Sequence, residues 1–217
     1  TYAGFELVNR GSGSPGNPKT IKAHPGETVT LDRALLPTRN GFAARIINLE
    51  GTGASHIVID GFKMTDSGNY QFSPLNISDG SKNDALCNQV AREGPGFTVN
   101  AIRVDWHSTS NPPDVPEGVI ISNNEIYRMA GAAIQGGGHG LQLLNNHIHH
   151  NTRMDQGTFG GGYGTYLEGN NGIIRGNVVH DNNSVGLRFA CDPAWGCYGW
   201  HNSVIENNVL YNNQGRL

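Results

Sequence analysis

The sequence predicts an all-β solenoid of short stacked coils, on three observations. Gly and Asn dominate the composition, with 31 and 25 of 217 residues. Charged residues make up 15%, against roughly 25% in an average globular protein. A short motif of Asn, one residue and an aliphatic returns at near-regular intervals through the second half. Gly and Asn at this density disfavour helical bundles and coiled coils, which need Ala, Leu, Glu and Lys. The net charge of -3 has the wrong sign for a general nucleic-acid binder. No apolar run reaches the roughly 18 residues that a membrane-spanning helix needs.

The Asn motif occurs in four segments: SNNEIYRM (122–129), LNNHIHHN (144–151), RGNVVHDN (175–182) and ENNVLYNN (206–213). Alignment puts Asn124, Asn146, Asn177 and Asn208 in one column, spaced 22, 31 and 31, and Ile126, Ile148, Val179 and Leu210 in another. A second pattern is AIRVD (101–105), AAIQ (132–135), TYLE (165–168) and LRFA (187–190), matched less well by IINLE (46–50) and FELV (5–8). A third, VII, LQLL, GII and SVI, precedes each asparagine. Each unit therefore holds three short strands, and period-2 alternation turns one side of each strand inward. One unit cannot bury its own inner face, so the units stack. Asn suits the repeated corner because it tolerates left-handed backbone and its amide can pair with the Asn of the next coil.

On these residues the sequence resembles the pectate-lyase-like superfamily of secreted bacterial proteins, including several polysaccharide lyases. GSGSPGNPKTIKAHPGETVTLD (11–32) is similar to their first coils and GTYLEGNNGIIRGNVVHDN (164–182) to their repeat. The resemblance implies a right-handed, single-stranded parallel β-helix of about six coils with an Asn ladder, as one domain over residues 1–217. It implies secretion or a periplasmic location, and substrate lying along the outside of the first sheet, which is the AIRVD-type strand. The insertions 65–98 and 151–164 and the loops 106–118 and 190–201 wall that sheet.

Alternation along the first sheet gives the outward rows Glu6, Asn48, Arg103, Ala133, Tyr166, Arg188 and Val8, Glu50, Asp105, Gln135, Glu168, Ala190. A lyase acting on an acidic, uronate-containing polysaccharide needs a base for the proton α to the carboxylate and a cation beside that carboxylate. Tyr166 is the candidate for proton transfer, Arg188 and Arg103 for holding the carboxylate, and Glu168 and Asp105 for positioning or acid/base work. Gln135, Glu50, His139, Trp106 and Trp195 are candidate substrate contacts. The rival enzymatic reading is a glycoside hydrolase. Asp105 and Glu168, two coils and about 10 Å apart, approach the inverting geometry of about 6.5–9.5 Å. Glu50 and Asp105, one coil apart, approach the retaining geometry of about 5 Å. The GHG of Gly138, His139 and Gly140 matches a polygalacturonase signature but lacks its paired aspartates and its basic motif.

No cofactor is assigned. The aspartate cluster of calcium-dependent pectate lyases is absent, because Asp155 and Asp192 stand apart, and Ca²⁺ on loop carbonyls stays open. A third-sheet row of Lys63, Tyr127, His149, His180 and Tyr211, with His150 and Asp181 alongside, offers imidazoles but not four well-spaced ligands. No metal site is assigned to it. Cys191 and Cys197 bracket the loop CDPAWGC as either a disulfide, which implies an oxidising compartment, or two free thiols. Strand-like segments at both ends suggest a longer natural chain or end-to-end self-association, so a structural or adhesive filament module is the non-enzymatic alternative.

Overall fold

The computed structural model describes residues 1–8, 11–36, 45–67, 100–104, 115–129, 131–151, 163–182, 185–189 and 201–213. Their regular structure is β-strand throughout, apart from two 3-10 turns, Arg33–Leu35 and Thr52–Ala54. Coil by coil, the strands are β1 (Phe5–Val8), β2 (Lys19–Lys22) and β3 (Thr30–Asp32), then β4 (Ile47–Glu50), β5 (Ile57–Asp60) and β6 (Lys63–Thr65). There follow β7 (Ile102–Val104), β8 (Ile120–Ser122), β9 (Glu125–Tyr127), β10 (Ile134–Gly136), β11 (Gln142–Leu144) and β12 (His147–His149). The last two coils are β13 (Thr165–Leu167), β14 (Ile173–Arg175), β15 (Val178–His180), β16 (Leu187–Phe189), β17 (Val204–Glu206) and β18 (Val209–Tyr211). They stack as three six-stranded parallel sheets: β1-β4-β7-β10-β13-β16, β2-β5-β8-β11-β14-β17 and β3-β6-β9-β12-β15-β18.

The inward residues form continuous columns. Ile47, Ile102 and Ile134 line the first sheet, Ile59, Ile121, Leu143 and Ile174 the second, and Met64, Ile126, Ile148 and Val179 the third, all fully buried. Each such side chain contributes about 1.5–3 kcal/mol by leaving water. On the last described coil the corresponding Ile205 and Leu210 are 51% and 47% exposed.

The Asn column forms the expected ladder between the second and third sheets. Asn124 Nδ2 donates to Asn146 Oδ1 at 3.1 Å, Asn146 to Asn177 at 3.0 Å and Asn177 to Asn208 at 2.9 Å. Each amide also donates back to a carbonyl one coil behind, as Asn146 does to Ile121 O at 2.8 Å. The second coil has Phe62 at this position, and its N–H caps the ladder on Asn124 Oδ1 at 3.0 Å. One expectation is corrected: the ladder asparagines are not the left-handed residues. That conformation belongs to the preceding residue, Asn123, Asn145 and Asn207, or Gly61 and Gly176, with φ between 55 and 78°.

A second ladder, not anticipated from the sequence, joins the third sheet to the first. Asn151 Nδ2 donates to Asn182 Oδ1 at 3.0 Å, and Asn182 to Asn213 at 2.8 Å. Met129 caps it through its N–H on Asn151 Oδ1 at 3.1 Å. The residues before it, Arg128, His150, Asp181 and Asn212, are again left-handed.

Candidate functional site

The pairing of β10 corrects the predicted outward row of the first sheet. Arg103 pairs with Asn48 and Gln135, Gln135 with Tyr166, and Tyr166 with Arg188. Gln135, not Ala133, therefore shares the row, and Ala133 is fully buried. The slip of two residues has a physical cause. The second inward position, held by Val104 and Leu167 in flanking coils, is Gly136 in β10. A Cβ there would lie 1.7 Å from Val104 O, at φ +139°. With no aliphatic at that position, the sequence pattern points to Ala132 and Ile134 instead.

The resulting column is Asn48, Arg103, Gln135, Tyr166, Arg188. At about 4.8 Å per strand, Arg103 and Arg188 stand roughly 14 Å apart with Gln135 and Tyr166 between them. Tyr166 and Glu168 emerge on the same side of β13, two residues apart. Tyr166 Oη donates to Glu168 Oε1 at 3.2 Å, and Glu168 is only 3% exposed. The exposed Arg188 places its guanidinium carbon 5.1 Å from the Tyr166 ring centroid and 4.5 Å from that of Tyr163. It also donates to the Tyr163 hydroxyl. The two rings lie 5.4 Å apart, so two phenols and one cation frame the buried carboxylate. Tyr163 was not among the sequence candidates. Its signal was the single aromatic in the otherwise glycine-rich GGGYG, three residues before Tyr166.

In the neighbouring row, Asn48 Nδ2 donates to Glu50 Oε2 at 3.1 Å while its Oδ1 accepts from Arg45 at 3.1 Å. Gly137, not Gln135, is the residue beside Glu168, because a Cβ on Gly137 would meet Glu168 O at 1.8 Å. Glu50 and Glu168 belong to strands three steps apart, roughly 14 Å, beyond either glycosidase spacing. Asp105, Trp106, Trp195, Cys191 and Cys197 lie outside the described residues. His139 is not on the row either. It bridges Glu117 and Asn170 at the corner between the first two sheets, hydrogen-bonded to the Asn170 side chain. Gln135 accepts from Asn100 Nδ2 at 2.5 Å.

A second polar cluster covers the third sheet, and its predicted row is also corrected. Lys63 pairs with Glu125, which in turn pairs with His147, and it is Thr65 that aligns with Tyr127, His149, His180 and Tyr211. Tyr127, His149, His180 and Tyr211 form a near-parallel ring stack with centroids 5.4, 5.2 and 4.5 Å apart. His147, absent from the predicted row, packs 4.3 Å from the His149 ring and 5.0 Å from that of His180. Burial, and next the His180 charge, pulls the His147 pKa below its usual 6.5. Burial and His147 do the same to His149. Lys63, 2.6 Å from Glu125, holds the Glu125 carboxyl below the ordinary range, and His180 lowers that of Asp181.

Three parallel sheets wound into coils, joined by asparagine ladders and carrying side-chain rows on their outer faces, define a β-helix protein. The chain belongs to the right-handed β-helix family, whose model, described as a right handed beta helix region, matches residues 45–216. Comparison with curated proteins and with solved structures found no match. Among the described residues no helix is long and apolar enough to cross a membrane.

Proposed function

We propose that the chain is a secreted or periplasmic polysaccharide lyase of pectate-lyase-like type that cleaves a uronate-containing polymer by β-elimination on the outer face of its first sheet. The observation that carries this reading is the Tyr166–Glu168 hydrogen bond, at 3.2 Å, beneath the Arg188 guanidinium. A pyranose repeat is close to one strand spacing, so a polymer laid across the strands presents successive sugars to Arg103, Gln135, Tyr166 and Arg188. Arg188, with Arg103 further along the chain, binds uronate carboxylate and favours the enolate-like charge that develops on it. Tyr166 takes the α-proton onto Oη as its own proton passes to Glu168. The C–H electrons form the new C=C bond, and the C–O bond to the leaving sugar breaks. The leaving oxygen recovers a proton from Tyr166, and the Glu168 proton returns to Tyr166.

The test is incubation with alginate, pectate and glycosaminoglycans, following both ultraviolet absorbance of the unsaturated product and new reducing ends. Both signals rise together for a lyase. Reducing ends without absorbance identify a hydrolase working through Asp105, and neither signal on any polymer refutes an enzymatic role on these substrates.

The second reading is a module that self-associates end to end. It is favoured by the exposed Val204, Ile205, Val209 and Leu210 of the last described coil, 42–53% accessible. Filaments in electron micrographs of the purified chain support it, and a monomer at all concentrations in sedimentation contradicts it.

A further inference from the structure

The imidazoles of the third sheet are arranged as ligands, not merely as a stack. We propose that Glu125, His147 and His149 bind one divalent transition-metal ion on the outer face of that sheet, with His180 beside them, independently of the first-sheet row. Ligand atoms of Glu125, His147 and His149 all lie within 4.8 Å of one another. The strand register explains why. His147 and His149 are two apart on β12 and share a face, while Glu125 on β9 pairs with His147. Two imidazoles and a carboxylate make a donor set suited to first-row divalent ions.

The separations fit ligation better than direct bonding. His149 Nε2 lies 3.4 Å from Glu125 Oε1, long for a charge-assisted hydrogen bond. It is close to the separation of two neighbouring ligands each about 2.0–2.2 Å from one ion. His180 Nε2 faces His147 Nε2 at 2.7 Å, so the two rings share a proton and His180 supports His147 from beside the site.

Each ligand is also oriented from behind, as metal-bound groups generally are. Asp181 Oδ2 accepts from His180 Nδ1 at 2.6 Å, leaving the Nε2 lone pair directed at His147. His149 Nδ1 contacts His150 Nδ1 at 2.8 Å, leaving Nε2 toward Glu125. Lys63 Nζ holds the other Glu125 oxygen, Oε2, at 2.6 Å. The strained corner contributes as well: His150 and Asp181 are the left-handed residues of successive coils, with φ 53 and 49°.

The probe is Co²⁺ alone, titrated into the metal-stripped protein and read by visible d–d absorption and calorimetry. The expected result is one saturable site per chain, competed by Zn²⁺. His147→Gln and His149→Gln should each weaken it more than tenfold, and His180→Gln, which removes the group behind His147, about 10–100-fold. A His24→Gln/His201→Gln double variant, which removes imidazoles elsewhere, should bind as the wild type does. Far-UV circular dichroism of the metal-free variants checks their fold. Zn²⁺ shifts of the wild-type His147, His149 and His180 imidazole resonances, compared with those of His24 and His201, provide a test that needs no variant. The proposal is overturned by absence of saturable binding, by unchanged affinity in folded His147→Gln/His149→Gln protein, or by shifts confined to His24 and His201.

Discussion

Tyr166 Oη donates to Glu168 Oε1 at 3.2 Å, and the carboxylate that receives this proton is almost wholly withdrawn from water. In the proposed lyase mechanism Glu168 is the partner through which Tyr166 gains and loses its proton. Glu168→Gln keeps the shape and a hydrogen bond but removes the basic oxygen. Its kcat should fall about 10²–10⁴-fold, in the range of lost general acid–base catalysis, with KM little changed. Steady-state kinetics check this, and an unaltered kcat would count against the relay.

The two arginines of the row act on binding. Arg103 is one β-strand from Gln135 and two from Tyr166, so it meets a sugar away from the scissile bond. Arg103→Ala should raise KM severalfold with kcat nearly intact. Arg188→Ala, next to Tyr166, should lower kcat as well. Arg188→Lys keeps the charge but not the planar fork that sits over Tyr163 and Tyr166, so it should rescue only in part. Steady-state kinetics on a soluble polyuronate separate these outcomes.

Asn146 takes part in both directions of the first ladder. Asn146→Ala strips the Asn124 N–H and amide of their acceptor and leaves the Ile121 carbonyl and the Asn177 oxygen short of a donor. Orphaned buried polar groups cost about 1–3 kcal/mol each, so a loss of roughly 3–5 kcal/mol is expected, allowing for relaxation and water entry. Asn151→Ala, in the second ladder, should cost somewhat less, because its side chain has three such partners, the Met129 N–H, the Ile126 carbonyl and Asn182 Oδ1. Denaturant unfolding measures both.

Gly136→Ala places a methyl against Val104 O in a backbone region that L-residues rarely adopt. A destabilisation of at least about 2–3 kcal/mol follows from the conformational strain alone. The same substitution at Gly16, which has open space around it but also a positive φ, should cost only about 1–2 kcal/mol. Melting temperatures of the two variants rank them.

With a chelator present, the chain should lose stability as pH falls below about 6.5. His147 and His149 have folded-state pKa values lowered by burial first, and next by the charge of His180 on His147 and of His147 on His149. The unfolded chain therefore binds more protons in the window below the unfolded value, and stability drops with pH until the folded values are reached. Glu125 and Asp181, also lowered, extend the loss to more acidic pH. Denaturant midpoints between pH 5 and 8 test the sign, and a His147→Gln/His149→Gln variant should flatten the upper part of the curve.

The coil repeat was legible because Asn, aliphatic and spacing coincide at one corner. The second ladder was equally regular, with Asn151, Asn182 and Asn213 each five residues after Asn146, Asn177 and Asn208. It was overlooked because the residues before it, His150, Asp181 and Asn212, share no side-chain type. What they share is a left-handed backbone, which a side-chain pattern does not display. Row assignments failed where a glycine stood in an inward column, at Gly136, and where an aliphatic anchor was replaced, at Met64 beside Lys63. Pairings such as Arg188 with Tyr163 depend on a loop returning to the sheet, which no period encodes. The loops carrying Asp105, Trp106, Trp195 and the Cys191–Cys197 segment lie outside the described residues.

The most direct test of the first-sheet site is a crystal structure of Tyr166→Phe protein with a bound uronate oligosaccharide. The account predicts sugar units running across the strands over Arg103, Gln135 and Phe at position 166, with a carboxylate on Arg188. An oligosaccharide bound on another face, with this row bare, would contradict it.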